Sequence, residues 1–330
     1  MRGNSAGIVG VGSYAPSRKL TNSDLEKIVD TSDEWIRTRT GISERRICED
    51  GVPTSEIAVI AARRAIAQAG ISPEEIDLII CATVTPDMPF PAMGCIVQDK
   101  LGATRAAAFD LEAGCSGFMY ALAVGTQFIE SGVYENVLVC GADSLTRITD
   151  WTDRNTCVLF GDGGGAVLLK PVEEGYGVLS FQLGADGSGG DLLKMPAGGS
   201  LMPASRETVD KKLHTIKMAG NEVFKFAVKV MGDAAVKALE KAHVRTDEVK
   251  CFIPHQANMR IIEAAARRLG IGMDRVFVNL NKYGNTSCGS IPLALSEALE
   301  LGRIKKGDIV VMVGFGAGLT WASNVVRWSY

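Results

Sequence analysis

Three short segments carry side chains able to do nucleophilic and oxyanion chemistry. Cys115 stands in Ala-Gly-Cys-Ser-Gly, between a strand-like run and a helix-like run. Small neighbours permit a sharp turn that exposes the sulfur at the end of a sheet, a nucleophile elbow with sulfur in place of oxygen. The N-terminus of the following helix would favour the thiolate. His255 stands in Ile-Pro-His-Gln-Ala-Asn, after a strand and before a helix, where side chains gather at a sheet edge. Asn285 stands in Tyr-Gly-Asn-Thr-Ser. Each has a plainer reading on local context: a buried structural cysteine, a satisfied loop histidine, a helix-capping asparagine. The chain has only His214, His243 and His255, so a mechanism that needs imidazole has few candidates.

The elements that must position these residues follow from periodicity. Apolar runs at 77–84, 106–114, 136–143 and 163–170 read as buried strands. Between them run helical patterns, one over 55–69 that stops at Gly70 and one after Cys115 that stops at Gly132. Ser72-Pro73-Glu74-Glu75 has the spacing of a capping box with proline at the first helical position. Alternating strands and helices predict an α/β fold with buried sheets. The glycine runs GIVGVG and GDGGGA suggest dinucleotide binding, but the order of the first is wrong and the second leads into a strand. Structural glycines are the expectation.

The second half repeats the first. GIVGVGSYAP from residue 7 aligns with GVLSFQLGADG from 177, CATVTP from 81 with FIPHQA from 252, and LVCGAD from 138 with VMVGFG from 311. The region around Cys115 aligns with VFVNLNKYGNTSCGSIPLALSEALELG. Two copies of one α/β unit, 1–172 and 173–330, are therefore expected, which would bring the three polar groups to a pseudo-two-fold axis. Segment 184–215 does not fit the repeat and reads as a surface excursion.

Composition bounds the function. With 46% hydrophobic and 22% charged residues, 330 residues suffice for a large core. A net charge of −3 argues against a nucleic-acid binder. No apolar run reaches the roughly 18 residues of a membrane span, and no signal peptide is apparent, so a cytosolic location is expected. The eight cysteines are then expected as thiols, the seven besides Cys115 mostly in the core. None forms C-x-x-C, so no metal site is expected.

These segments together resemble β-ketoacyl-[acyl-carrier-protein] synthase III over essentially the whole chain. The resemblance rests on TSDEWIRTRTGISERRI, GCSGF, FGDGGGAVLL, MAGNEVFKFAV, PHQANMRII, NKYGNTS and GFGAGLTWAS. It implies a thiolase-like fold of duplicated α/β halves in a five-layer α-β-α-β-α sandwich, a homodimer, and a Cys115–His255–Asn285 triad. It implies condensation of a primer acyl-CoA with malonyl-acyl carrier protein (malonyl-ACP), with no metal or redox cofactor. It further implies an oxyanion hole from the backbone N–H groups of Cys115 and Ala317, Ala317 standing where some family members have glycine. A coenzyme A tunnel would use Trp35 and Arg154 to sandwich adenine, with Arg39, Asn221, Phe224 and Asn258 at its entrance. Phe90 would belong to the acyl pocket.

Other readings differ at particular residues. A thiolase would carry a second cysteine where Gly-Phe-Gly-Ala-Gly stands, and an elongating synthase would have histidine in place of Asn285. A secondary-metabolite synthase stays the nearest alternative. A Cys-His-Asn amidase would not predict duplicated halves, and an acyl-binding module would not need Cys115. The implied partner, acyl carrier protein, is strongly acidic. Arg260, Arg267 and Arg268 fall outside the apolar stripe Ile261, Ile262, Ala265 and Leu269 of a helix over 257–269, and with Lys225 they form the expected docking face.

Overall fold

The computed structural model describes residues 5–330. The reading of a leaderless start rests partly on residues 1–4, which lie outside the described residues. The first sheet comprises β1 (Ser5–Tyr14), β2 (Leu78–Ala82), β3 (Ala107–Leu111), β4 (Val137–Ser144) and β5 (Asp162–Val172), in the order β1-β5-β4-β2-β3. The second comprises β6 (Gly177–Ala185), β7 (Val249–Pro254), β8 (Ile309–Gly316) and β9 (Thr320–Arg327), in the order β7-β8-β9-β6. Pairing sense matches as well as order. β1–β5 and β5–β4 are antiparallel and β4–β2 is parallel; so are β6–β9, β9–β8 and β8–β7 in turn.

The second sheet lacks a full counterpart of β3. Val276 makes only an isolated parallel bridge to Phe252. The Gln256 side chain takes over the pairing: its Oε1 accepts from the N–H groups of Asn279 and Leu280 at 3.0 and 3.2 Å. Its Nε2 donates to the carbonyls of Pro254 and Phe277 at 2.7 and 3.3 Å.

Helices cover both faces of each sheet. They are α1 (Asp33–Thr40), α2 (Thr54–Ala69), α3 (Met93–Leu101), α4 (Gly117–Glu130), α5 (Gly220–Lys241), α6 (Met259–Leu269) and α7 (Ser290–Glu300). Strand residues alternate between layers with the period of two expected of buried strands. Ile79, Cys81, Leu138 and Cys140 pack outward on α2 and α3, whereas Leu78, Ile80 and Val139 pack inward on α4 and α7. From the second sheet Ile253, Val310 and Met312 meet the same central helices, while Phe252, Val311 and Val313 pack on α5 and α6. The result is the five-layer α-β-α-β-α sandwich of the thiolase fold. Its outer helices end at glycine, at Gly70 as predicted, with Gly70, Gly102 and Gly270 left-handed at the C-caps of α2, α3 and α6. The Ser72–Glu75 capping box is present, but it starts a single 3-10 turn, Pro73–Glu75.

The glycine runs are structural. GIVGVG lies within β1, and a Cβ on Gly10 or Gly12 would sit 2.2 Å from the carbonyl oxygen of Ala65 or Ala61 on α2. Segment 184–215 is largely exposed, as expected of a surface excursion, and its Gly190, Leu193, Lys194 and Met195 also wall a cavity at Cys115. Of the cysteines outside the site, Cys95 alone is exposed. Gly12→Ala should lower stability by about 1–3 kcal/mol, the cost of forcing an extra methyl into a packed contact. Denaturant unfolding that matches the native chain would show that α2 does not press on β1 as described.

Candidate active site

The turn that carries Cys115 is fixed by backbone contact across the pseudo-two-fold axis. Gly114 has φ +53, and a Cβ there would lie 2.6 Å from the nitrogen of Ala317. A Cβ on Gly316 would lie 2.2 Å from the nitrogen of Cys115. Glycine at both positions lets the N–H groups of Cys115 and Ala317 come together, as the oxyanion reading requires. Ser116 ties the turn down by donating to the carbonyl of Ala113 at 2.7 Å, and α4 begins one residue later.

His255 follows β7 and is buried against the Phe315 ring, 5.6 Å between centroids. Its Nδ1 lies 2.6 Å from the hydroxyl of Ser290, the first residue of α7. Burial pushes the imidazole down to about 3, so it is neutral at physiological pH. In the tautomer with the ring proton on Nε2, the Ser290 hydroxyl donates to Nδ1. Asn285 is buried and doubly held. Its backbone N–H donates to the carbonyl of Leu159 at 2.8 Å, and its carbonyl accepts from Gly161 at 3.0 Å. Its side-chain Oδ1 accepts from the Ser287 N–H at 2.8 Å, which leaves Nδ2 as the free donor. Ser287 reaches that position at φ +50, a left-handed conformation unusual for serine.

Cys115 lies where two cavities meet. One, of about 90 Å³, is lined by Cys115, His255, Asn285, Phe224 and Asn258. The other, of about 670 Å³, is lined by Cys115, Ala317, Ser287 and the apolar side chains of Val84, Ile148 and Met195. The sulfur therefore faces the two polar donors on one side and an apolar chamber on the other. Burial pushes the Cys115 thiol up to about 12, against a lowering hydrogen bond with Ser287, and the Asp143 carboxylate adds to the rise. Burial thus works against the thiolate that the helix N-terminus would favour.

The remaining predicted residues divide. Phe224 and Asn258 line the narrow cavity. Asn258 also caps α6, its Oδ1 accepting from Arg260 N–H at 2.9 Å and its Nδ2 donating to the carbonyl of Arg39 at 3.0 Å. Asn221 and Lys225 are exposed on the first turns of α5. The Trp35 ring and the Arg154 guanidinium, expected to sandwich adenine, lie against each other. The Arg154 guanidinium carbon lies 4.1 Å from the Trp35 ring centroid, and that of Arg39 lies 5.2 Å away. A ring held between two planes needs them about 7 Å apart, twice a van der Waals contact, so Arg154 must swing away to admit one. Phe90 is 83% exposed, outside the lining of the cavity at Cys115 and of its neighbour at Val84. It stands on a proline-flanked loop, Pro89-Phe90-Pro91, beyond the apolar rim.

On α6 the apolar stripe is buried as predicted, and Arg260 is exposed. Arg267 pairs with Glu263 at 3.9 Å and Arg268 with Asp233 at 2.9 Å, so part of the basic face is neutralised by neighbouring acids. Among the described residues, no group of three acidic, histidine or cysteine side chains could hold a metal ion. No helix of the described residues is long and apolar enough to cross a membrane. Sequence reasoning missed Ser290, Gln256 and Asp143. Their signals were weak, because a serine at a helix start and a glutamine after histidine have many ordinary uses.

Comparison with known proteins places this geometry. Residues 109–187 match the family model for 3-oxoacyl-[acyl-carrier-protein (ACP)] synthase III, and residues 239–328 match the model for its C-terminal part. The chain is 60% identical over 325 residues to the β-ketoacyl-[acyl-carrier-protein] synthase III of Caldanaerobacter subterraneus, covering 98% of each chain. The crystal structure of 3-oxoacyl-[acyl-carrier-protein] synthase III from Aquifex aeolicus superposes with a TM-score of 0.91 at 48% identity, over 98% of this chain and 100% of that one. A priming β-ketosynthase from the R1128 polyketide pathway superposes with a TM-score of 0.92 at 36% identity, over 99% and 97%.

Two predictions follow from the site's geometry. Gly316→Ala should lower thioester-dependent turnover at least a hundredfold, because the new methyl displaces the Cys115 N–H from the oxyanion position. Turnover within a few-fold of native would show that this N–H is not part of the hole. In the free protein, alkylation of Cys115 by iodoacetamide should rise about tenfold per pH unit from 6 to 9, as a thiol near 12 ionises. A plateau below pH 8 would instead reveal a preformed thiolate.

Proposed function

The chain belongs to the β-ketoacyl-[acyl-carrier-protein] synthase III family and is an acyltransferase of fatty acid synthesis, and we propose how its residues divide that reaction. The reaction joins a primer acyl-CoA to malonyl-ACP and yields 3-oxoacyl-ACP, coenzyme A and carbon dioxide. In the first half-reaction the Cys115 sulfur attacks the primer thioester carbon. The carbonyl oxygen gathers negative charge against the N–H groups of Cys115 and Ala317. The carbon–sulfur bond to coenzyme A breaks, and coenzyme A leaves as a thiol with the proton that Cys115 gives up. The acyl chain then extends into the apolar chamber.

In the second half-reaction the malonyl carboxylate departs as carbon dioxide, and its bonding pair becomes the enolate of the ACP thioester. Neutral His255, through Nε2–H, and Asn285, through Nδ2–H, donate to that enolate oxygen. The carbanion attacks the acyl carbonyl and Cys115 leaves as a thiolate, which takes up a proton from solvent. No electrons are lost or gained overall, so the reading calls for no redox cofactor, and His255 and Asn285 meet the enolate's charge in place of a metal. The observation that carries the assignment is the pair of second-site hydrogen bonds, Ser290 to His255 Nδ1 and Ser287 N–H to Asn285 Oδ1. Each orients a donor toward the cavity that holds Cys115.

The same reading extends to assembly and partners. The matched strand order supports two thiolase-like halves, 1–172 with the nucleophile and 173–330 with His255 and Asn285. The outer side of β3 and the exposed side chains of Met88 and Phe90 offer a homodimer an edge and an apolar patch to bury. Trp35 and Arg154, once parted, would hold adenine, with Arg39 and Asn221 beside them. Arg260, Arg267, Arg268 and Lys225 would meet the acidic carrier protein. A cytoplasmic location fits these soluble substrates.

Intact-mass analysis after incubation with acyl-CoA should place one acyl group on Cys115 and none on Cys115→Ala; label elsewhere would refute the nucleophile. His255→Ala and Asn285→Ala should still acylate Cys115, while malonyl decarboxylation falls by on the order of a hundredfold. Normal decarboxylation in either variant would remove that residue from the enolate site. Ser290→Ala should also slow decarboxylation more than acylation, and equal slowing of both would contradict its control of the tautomer.

A further inference from the structure

Arg45 is fully buried, at 0% exposure, yet no carboxylate lies within ion-pair distance of it among the described residues. Burial lowers the guanidinium only to about 10, so it stays charged. A buried cation held by neutral acceptors costs stability, so its retention points to a positioning task. What it holds is specific. Nη2 donates to the carbonyl of Val158 at 2.8 Å. Nη1 donates to the carbonyl of Leu20 at 3.1 Å and to Asn22 Oδ1 at 2.9 Å.

The Arg45 Cβ also lies 3.0 and 3.2 Å from the positions that a Cβ on Gly161 or Gly284 would occupy. Arg45 therefore bridges the two segments, its guanidinium on the Val158 carbonyl and its Cβ against Gly161 and Gly284. Those two segments pair directly, through Asn285 N–H to Leu159 and Gly161 N–H to Asn285. Leu159 and Phe160 line the cavity that holds the triad, so a shift of this segment moves Asn285 relative to Cys115. On its other side Asn22, its amide oriented by Arg45, donates to Asp33 Oδ1 and to the carbonyl of Ile42, each at 2.8 Å. These contacts fix both ends of α1, which bears Trp35.

We propose that Arg45 is a positioning residue for Asn285, holding the 158–161 segment whose backbone pairing aims the Asn285 amide at the enolate. The proposal rests on Asn285 as a decarboxylation donor, and its test separates the two. Arg45→Lys keeps the charge but loses the fork. It should lower malonyl-ACP decarboxylation by about tenfold or more, on the scale of a displaced oxyanion donor, with Cys115 acylation within about twofold. In an Asn285→Ala background the same substitution should add less than about twofold, since the donor it positions is already gone. Arg45→Met, which fills the space without a charge, is read in the same cycle if the lysine variant does not fold. A fully additive loss, or equal loss in both half-reactions, would make Arg45 a general structural residue and overturn the proposal. Normal decarboxylation by Asn285→Ala alone would instead overturn the donor assignment beneath it.

Discussion

The structure turns on one buried carboxylate. Asp143 ends β4 with no exposed surface, and both of its oxygens are occupied. Oδ1 accepts from the Thr83 hydroxyl, the Val84 and Thr85 N–H groups and the Thr85 hydroxyl, at 2.8–3.1 Å. Oδ2 accepts from the N–H of Cys288, at 3.0 Å, in the other half of the chain. A buried carboxylate must be satisfied, and this one is satisfied only when the ends of β2 and β4 and the turn after Asn285 are all in place. It therefore fixes the distance between the nucleophile's half and the donors' half. Burial foremost, and this charge in addition, push the Cys115 thiol up.

Around that anchor the two halves approach through glycine. Gly141 brings β4 within reach of the turn at Cys288, and Gly114 and Gly316 bring the two oxyanion loops together. The donors are then held from behind, His255 by Ser290 and Asn285 by Ser287, so that substrate meets amide and imidazole already aimed. The segment that breaks the repeat closes the far wall. Leu193 and Met195 complete an apolar chamber that the duplicated sheets alone would leave open.

Much of this was legible in the sequence because it depends on periodicity and turn chemistry. The strands at 137–144 and 309–316, the helix stops at Gly70 and Gly270, and the buried stripe on α6 all follow from local pattern. That Cys115, His255 and Asn285 line one cavity was legible because they stand at the ends of duplicated strands. Properties set by long-range packing were not. The burial that raises the Cys115 thiol, the Gln256 side chain that replaces a strand ladder, and the Trp35–Arg154 stack each depend on residues far apart in the chain.

The central claim is that two separate sets of donors serve two half-reactions at one sulfur. A crystal structure of the Cys115 acyl-enzyme tests it directly. The acyl carbonyl oxygen should accept from the backbone N–H groups of Cys115 and Ala317, with the chain in the chamber lined by Ile148 and Met195, leaving His255 Nε2 and Asn285 Nδ2 free. An acyl oxygen bound instead to His255 and Asn285 would contradict the account, because the donors assigned to the enolate would already be engaged.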